Sequence, residues 1–181
     1  MKKAVYLLIF VVVIISGCSR DSLTEDNVYL KKRSDLGVIV PAKCWFTTAP
    51  DYSLGFILCL PPEMEVSLLG GGWMAGHLTH GGTLISDQSY YRVLNCNFDY
   101  LTLTVSESIE GVHTVANGDY YWFTSDLQVN VTNGMLTGTV IVNGGTGRYE
   151  GATAMLVING IHDLQTNVAT MTGEGSWTFM K

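Results

Sequence analysis

Histidine and cysteine are the residue types in this sequence best suited to binding a metal or attacking a substrate, and four of each are present. The one close pair of histidines, His77 and His80, is three residues apart, which on a strand directs the two rings to opposite faces. Since a zinc site needs three or four nitrogen or sulfur ligands, we expect no metal and no cofactor. His80 precedes Gly81-Gly82, so we expect its main role to be the stabilisation of a turn, with a place in a pocket as the second choice.

Three cysteines, at positions 44, 59 and 96, lie in the body of the chain. Cys44 and Cys59 flank Pro50-Asp51-Tyr52 almost symmetrically, so as neighbours across a hairpin they could form a disulfide. Closing a loop of this size contributes about 3 kcal/mol in the chain-entropy account. Three buried free thiols fit the sequence nearly as well, because cysteine packs as a small hydrophobic residue. In either case at least one thiol stays unpaired.

No catalytic motif is recognisable among the carboxylates and hydroxyls. The acidic residues are scattered, and the chain lacks a Gly-x-Ser-x-Gly elbow. The glycines at 144–147 lack the Gly-Lys-Ser/Thr ending of a phosphate loop. We therefore expect no catalytic residues, and the sequence favours a protein that is not an enzyme.

A run of four aromatic residues at 120–123 alternates between the two faces of a strand. Either Tyr120 with Trp122 or Tyr121 with Phe123 therefore lines the interior. Filling a core is the usual role of such side chains. A ligand platform is the alternative, with Trp122 and His80 as the candidate pocket residues.

The start of the chain carries targeting information. Two lysines precede an apolar run at residues 4–15, the layout of a signal peptide too short for a comfortable membrane span. The sequence ISGC at 15–18 resembles the lipobox of bacterial lipoproteins, which implies cleavage before Cys18 and acylation of its thiol. Serine at 19 is compatible with transfer to the outer membrane. The alternative is an ordinary secreted protein with an incidental cysteine.

These signals divide the chain into a signal peptide at 1–17, a lipidated N-terminus and flexible linker at 18–37, and one domain at 38–181. After cleavage, 8 basic and 16 acidic residues remain, a net charge of −8. This charge argues against a nucleic-acid partner. We expect the bilayer to be contacted through the acyl chains on Cys18, and the address to be the bacterial cell envelope.

A glycine-rich stretch, GGTGRYEGAT at 144–153, separates two apolar runs. Gly144, Gly145, Gly147 and Gly151 supply backbone angles that other residues reach only with strain, which predicts a tight structural corner. The stretch resembles the GGTGRFEGATG signature of small secreted β-barrel proteins. These include bacterial lipoproteins of unknown function and, more distantly, the allene oxide cyclase and dirigent barrels.

Three further segments fit the lipoprotein group: GHLTHGG at 76–82, ANGD at 116–119 and TGEG at 172–175. The resemblance covers roughly residues 76–179 and implies a calycin-like closed barrel. It implies no activity, because a fold does not determine a function.

The pattern of the domain independently predicts an all-β protein. Apolar and polar residues alternate at 101–106, 126–132 and 171–179, as in strands with one buried face. Asn-Gly pairs at 117, 133 and 159 predict tight turns between antiparallel strands. We therefore expect a single antiparallel barrel of about eight or more strands, whose closure removes exposed edges.

Two regions are less regular. Prolines break residues 38–65 into short pieces, and residues 83–97 show no clear pattern. The segment at 83–97 could cap one end of the barrel, although an ordinary variable loop is the better interpretation.

Three hypotheses follow for function. The first is an envelope lipoprotein whose barrel is a non-enzymatic binding or interaction module, with a small apolar ligand. The second is a cyclase- or isomerase-like enzyme that acts by confining its substrate in an apolar cavity. The third is a structural subunit of a surface assembly, for which a filled barrel and an exposed apolar patch are expected. The sequence names neither the ligand nor the oligomeric state.

Overall fold

The computed structural model describes residues 37–180. The predictions made for the signal peptide, for the linker and for acylation of Cys18 lie outside the described residues. Within them the chain is all-β, with three short 3-10 helices at Tyr52–Leu54, Pro62–Met64 and Gly147–Tyr149. None of these helices is long and apolar enough to cross a membrane. The strands are β1 (Val38–Pro50), β2 (Phe56–Leu58), β3 (Ser67–Leu69), β4 (Gly71–Leu78), β5 (Gly82–Thr83), β6 (Tyr90–Asp99), β7 (Thr104–Thr114), β8 (Tyr120–Asn130), β9 (Met135–Gly145), β10 (Thr153–Asp163) and β11 (Val168–Phe179).

Eight strands close into a ring in the order β1-β11-β10-β9-β8-β7-β6-β4, and β4 pairs back onto β1. Every pairing in the ring is antiparallel. Each strand of the ring pairs with two neighbours, although β4 and β6 share only three residue pairs, and such closure is the way a barrel avoids open sheet edges. The predicted antiparallel β-barrel is therefore confirmed. β2 and β3 form a separate two-stranded sheet, here called the β2–β3 hairpin.

Two of the three predicted Asn-Gly turns are confirmed. Gly118 and Gly134 lie between consecutive strands with φ of +87° and +70°, a region that glycine enters without strain. The turn predicted at Asn159-Gly160 is wrong, because β10 continues through it to Asp163. A Cβ on Gly160 would lie 2.8 Å from Cα of Met171. This glycine is needed for close approach of the neighbouring strand.

Residues 83–97 do not form a capping loop. Most of the segment's second half is β6, whose pairing with β7 shifts register between Val93 and Asn95. This bulge explains why β6 shows no alternation in the sequence. One extra residue moves every later side chain of the strand to the opposite face of the sheet. The strand predicted from the alternation at 101–106 is wrong in its first half, because residues 100–103 form the turn between β6 and β7.

The barrel has two unlike ends. One holds the glycine corner after β9 and is here called the corner end. The other end holds the turns that join β6 to β7, β8 to β9 and β10 to β11. The long connection from β1 to β4, which contains the β2–β3 hairpin, also lies there, so this end is here called the hairpin end. On β8, Tyr121 and Phe123 face the core, whereas Tyr120 and Trp122 face outward.

Candidate functional site: an internal cavity

The glycine corner is a single 3-10 turn between β9 and β10. Gly147 has φ of +54° and Gly151 of +67°, so both occupy the left-handed region that favours glycine. A Cβ on Gly147 would also collide with the carboxylate of Asp119. Gly144 and Gly145 are the last residues before the turn and are both buried. The corner therefore lies directly against the β7–β8 turn.

Aromatic side chains fill the barrel behind this corner. Tyr149 and Trp177 are fully buried and pack against Tyr121, with ring centroids 5.0 and 5.5 Å from that of Tyr121. The Tyr149 hydroxyl donates to the carbonyl of Gly81 at 2.7 Å, and Trp177 Nε1 donates to the carbonyl of Thr79 at 3.0 Å. These bonds attach the corner and β11 to the turn after β4. The corner end is thus closed by packed rings.

Toward the hairpin end, the interior holds a cavity of about 50 Å³. This volume exceeds the roughly 10–15 Å³ needed to admit one water, but it is about a third of the roughly 150 Å³ cavity that holds benzene. The apolar side chains around it include Phe46, Met74, Ile109, Phe123, Leu127 and Val140. The polar ones are Thr48, Tyr91, Glu107, Ser125, His113, His162 and Asn167. Leu68 and Leu69 of the β2–β3 hairpin border it as well.

Glu107 is the carboxylate among the cavity-lining residues. It lies on β7 between the buried Val105 and Ile109, and its partners on the adjacent strands are Cys96 and Leu127, also buried. Its side chain makes no hydrogen bond or salt bridge with any described residue. Burial raises the pKa of Glu107 to about 7, because a low-dielectric interior disfavours the charged form.

The Tyr91 hydroxyl lies close enough to feel the charge of this carboxylate, and the Thr48 hydroxyl lies near that of Tyr91. Burial raises the pKa of Tyr91 to about 12, and the negative charge of Glu107 adds to that rise, while a hydrogen bond with Thr48 opposes it. The Thr48 hydroxyl also accepts a bond from the amide of Ala169 at 2.8 Å. Glu107, Tyr91 and Thr48 therefore all contribute polar atoms to the wall of a mostly apolar cavity.

His113 lies where the filled and hollow parts of the barrel meet. Its ring is packed among Phe46, Tyr121 and Phe123, at centroid distances of 5.2, 5.1 and 4.3 Å. Nε2 is 3.3 Å from the sulfur of Met74, while Nδ1 has no partner among the described residues. Burial lowers the pKa of His113 to about 3, so the ring is neutral at pH 7.

Neither pocket residue expected from the sequence borders this cavity. His80 lies in the turn after β4 with φ of +63°, and its carbonyl accepts a bond from the Arg148 guanidinium. Trp122 faces outward, 43 % exposed, and donates from Nε1 to the carbonyl of Asn143 at 3.1 Å. Neither residue therefore belongs to the internal cavity, although Trp122 borders a separate groove on the outer surface together with Tyr90 and Asn143. His80 stands beyond the strand end, and the inward positions of β8 are the odd-numbered ones.

The disulfide prediction is also wrong. Cys59 bonds to Cys96, with 4.7 Å between the Cα atoms, and Cys44 is a buried free thiol. The error arose because β1 pairs with β4 rather than with β2, so Cys44 is opposite Leu78 and not opposite Cys59. Burial raises the pKa of Cys44 to about 11, which leaves it unsuited to act as a thiolate nucleophile.

Glu107 and Tyr91 are the site residues that sequence reasoning missed. The alternation of Val105 and Ile109 around Glu107 was a usable signal, because period two puts all three on one face. Among residues 37–180, no three His, Cys, Asp or Glu side chains converge as a metal site. No family model, no curated protein and no solved structure matches this chain.

Proposed function

We propose that this protein is a lipid-anchored cell-envelope protein whose barrel binds a small, mostly apolar ligand without transforming it. The observation that carries the proposal is the cavity kept open inside a barrel that is otherwise filled. Ligand sites are typically apolar concavities with a few polar groups that set orientation. Glu107, Tyr91 and Thr48 are such groups, and the apolar walls come from five or more strands.

The proposed location in the cell envelope is supported by two independent features. The lipobox-like ISGC at 15–18 supplies a cysteine for acylation. The Cys59–Cys96 disulfide fits an oxidising compartment outside the cytoplasm, where such bonds persist.

The size of the cavity limits the ligand. At about 50 Å³ it accepts a few non-hydrogen atoms unless the bordering Leu68 and Leu69 move. A cavity this narrow gives little support to an enzyme that confines a large substrate. Binding of a small molecule is the better interpretation.

A second candidate, the structural subunit, is favoured by one specific observation. The outer faces of β9 and β10 carry five apolar side chains that are each at least 42 % exposed. They form two cross-strand pairs, Ile141 with Met155 and Met135 with Ile161, with Val157 between them. Contiguous exposed apolar surface often marks a protein contact. This surface is separate from the cavity, so the two functions are compatible.

Native mass spectrometry of the full-length protein, purified in detergent from its source cell, tests the cavity proposal. We expect a non-covalent adduct on the wild type, and its loss in Val140→Phe, whose added ring points into the cavity. The matched control is Ile141→Phe, which makes the same addition on the outward face of the same strand and should retain the adduct. Equal adducts in both variants, or none in the wild type, would contradict the proposal.

A further inference from the structure

Exposed aromatic side chains are gathered on one side of the outer surface of the barrel. Four rings, each between 39 and 43 % exposed, lie there on β4, β6 and β8: Trp73, Tyr90, Tyr120 and Trp122. Trp73 is opposite Tyr90 in the sheet, and their ring centroids are 6.4 Å apart. Tyr120 and Trp122 are 6.2 Å apart. Val112 lies between the two pairs, opposite Tyr90 on one side and Trp122 on the other.

Tyr90 and Trp122 border an open groove of about 310 Å³, several times the volume of the internal cavity. The indole ring of Trp122 is held in place at this groove. Its Nε1 donates to the carbonyl of Asn143 at 3.1 Å, and the ring packs over Gly144, where a Cβ would come within 3.2 Å of it. A side chain that is already fixed loses little conformational freedom when it binds a ligand.

Polar side chains lie beside the aromatic rings on the same face. The next outward positions along β6, β7 and β8 are Arg92, Glu110 and Thr124, which are opposite one another in register. Arg92 and Glu110 form an ion pair at 3.1 Å, and Asn143 Nδ2 donates to Thr124 Oγ1 at 3.2 Å. This row therefore offers both donors and acceptors without a net charge.

A second groove, of about 440 Å³, continues the first toward the hairpin end. Its nearer row of outward side chains consists of Asn95, Ser108, Asp126 and Thr139, which are opposite one another on β6 to β9. Gln128 and Thr137 belong to the row beyond. From Trp122 to Gln128 the two grooves extend roughly 20 Å along β8, at about 3.4 Å per residue. One end of this face is aromatic, and the rest carries mainly amides and hydroxyls.

This combination defines the chemistry of a complementary molecule. A pyranose sugar has apolar C–H faces that pack on aromatic rings, and a rim of hydroxyls that bond to amide, hydroxyl and charged side chains. A purely apolar ligand would cover the polar rows without bonding to them, which costs free energy. A nucleobase also stacks on aromatic rings, but phosphates would be repelled by a chain that keeps a net charge of −8 after cleavage.

We propose that the outer face of β6 to β9 binds a neutral β-1,4-linked oligosaccharide. One sugar packs on Trp122 and Tyr90, and the following sugars bond to the polar rows. A β-1,4-linked chain is extended and exposes its ring faces, as a straight groove along a strand requires. The inference goes beyond the proposed cavity function, because this face lies on the other side of the barrel wall and does not depend on what the cavity holds.

The test is isothermal titration calorimetry of the full-length chain in a detergent without a sugar head group. The probes are chitotetraose and cellotetraose, two neutral β-1,4-linked tetramers with and without N-acetyl groups, and maltotetraose, the α-1,4-linked isomer of cellotetraose. We expect at least one β-1,4-linked tetramer to bind more tightly than maltotetraose and than its own dimer, which cannot span both grooves. The preferred tetramer shows whether the natural ligand is an N-acetylated glycan or a plain glucan.

Trp122→Ala should weaken binding of the preferred tetramer at least about tenfold, as truncation of a central aromatic anchor commonly does. The matched control is Trp45→Ala, the same change at an exposed position on β1 outside both grooves, which should bind as the wild type does. Tyr90→Ala repeats the test if Trp122→Ala does not fold.

The cavity variant Val140→Phe should also bind the tetramer normally, which separates the two proposals. Failure of both β-1,4-linked tetramers to bind the wild type would overturn the saccharide inference and leave the cavity function standing. Equal binding by Trp122→Ala, Tyr90→Ala and Trp45→Ala would overturn it as well, and so would equal affinity for maltotetraose.

Discussion

Two buried titratable side chains in this barrel oppose each other in their effect on stability. His113 has a folded pKa of about 3, below the ordinary 6.5, so the unfolded chain binds more protons as the pH falls below 6.5. Glu107 has a folded pKa of about 7, above the ordinary 4.5, so the folded chain holds its proton while the unfolded chain loses it. A fall in pH therefore destabilises the folded state through His113, and a rise in pH destabilises it through Glu107.

Between pH 4.5 and 6.5 each group changes the free energy of unfolding by about 2 kcal/mol, with opposite sign. In the wild type the two changes nearly cancel. Relative to the wild type, His113→Phe should lose about 2 kcal/mol of stability as the pH rises from 4.5 to 6.5. Glu107→Gln should gain about that amount over the same interval. Urea unfolding at the two pH values measures both.

The double variant His113→Phe/Glu107→Gln is the control and should follow the wild-type pH dependence again. The phenyl ring suits the His113 site, which is already surrounded by Phe46, Tyr121 and Phe123. Single variants with the same pH slope as the wild type would show that neither group is shifted as described.

The element that differs most from a plain barrel is the β2–β3 hairpin. Its residues Ile57, Val66 and Leu68 pack with Cys59, Cys96 and Val105 in a small core of their own. The Cys59–Cys96 bond attaches this core to β6, across 37 residues of sequence. Because Leu68 and Leu69 also border the cavity, the bond holds one wall of the candidate site in place.

Reduction of this bond should lower the free energy of unfolding by about 4 kcal/mol, from the loop entropy of a 37-residue closure. Chemical denaturation of the full chain, with and without a reductant, measures the difference. Cys59→Ala/Cys96→Ala should already have lost that stability and should not respond to reductant.

Cys44→Ala is the matched control, because it removes the buried free thiol of β1 and leaves the bond intact. It should keep the full response to reductant. A response that persists in the double variant would contradict the assigned pairing.

The sequence predicted individual turns better than it predicted how far each strand extends. The Asn117-Gly118 and Asn133-Gly134 turns follow from residue chemistry within four positions, and both are confirmed. Asn159-Gly160 has the same chemistry but lies within β10, paired along its length with β11. Pairing of β10 with both β9 and β11 outweighs the local turn preference. This pairing satisfies backbone hydrogen-bonding groups that a turn would leave without partners.

The whole molecule combines a closed barrel with a proposed lipid anchor. In the ring the strand edges pair with one another, so the barrel needs no edge-to-edge partner. The proposed attachment to the envelope depends on Cys18, which lies outside the described residues.

We expect mass spectrometry of the membrane-extracted protein to find residues 1–17 removed and acyl chains on Cys18. Two or more chains give stable membrane attachment, at about 0.8 kcal/mol for each buried methylene. Cys18→Ser is the control and should leave the membrane fraction. An unmodified Cys18 thiol in the wild type would refute the anchor.

Alternation, glycine and Asn-Gly pairs were enough to predict an antiparallel barrel with a tight corner at 144–151, because each depends on a few adjacent residues. The cysteine pairing, the inward direction of Tyr121 and the cavity position of Glu107 depend on contacts between distant strands. Cys59 meets Cys96, and Glu107 meets Cys96 and Leu127, only through register across β6, β7 and β8. A one-residue shift reverses the facing of a strand. Only the closed ring, with its bulge in β6, therefore determined which side chains surround the cavity.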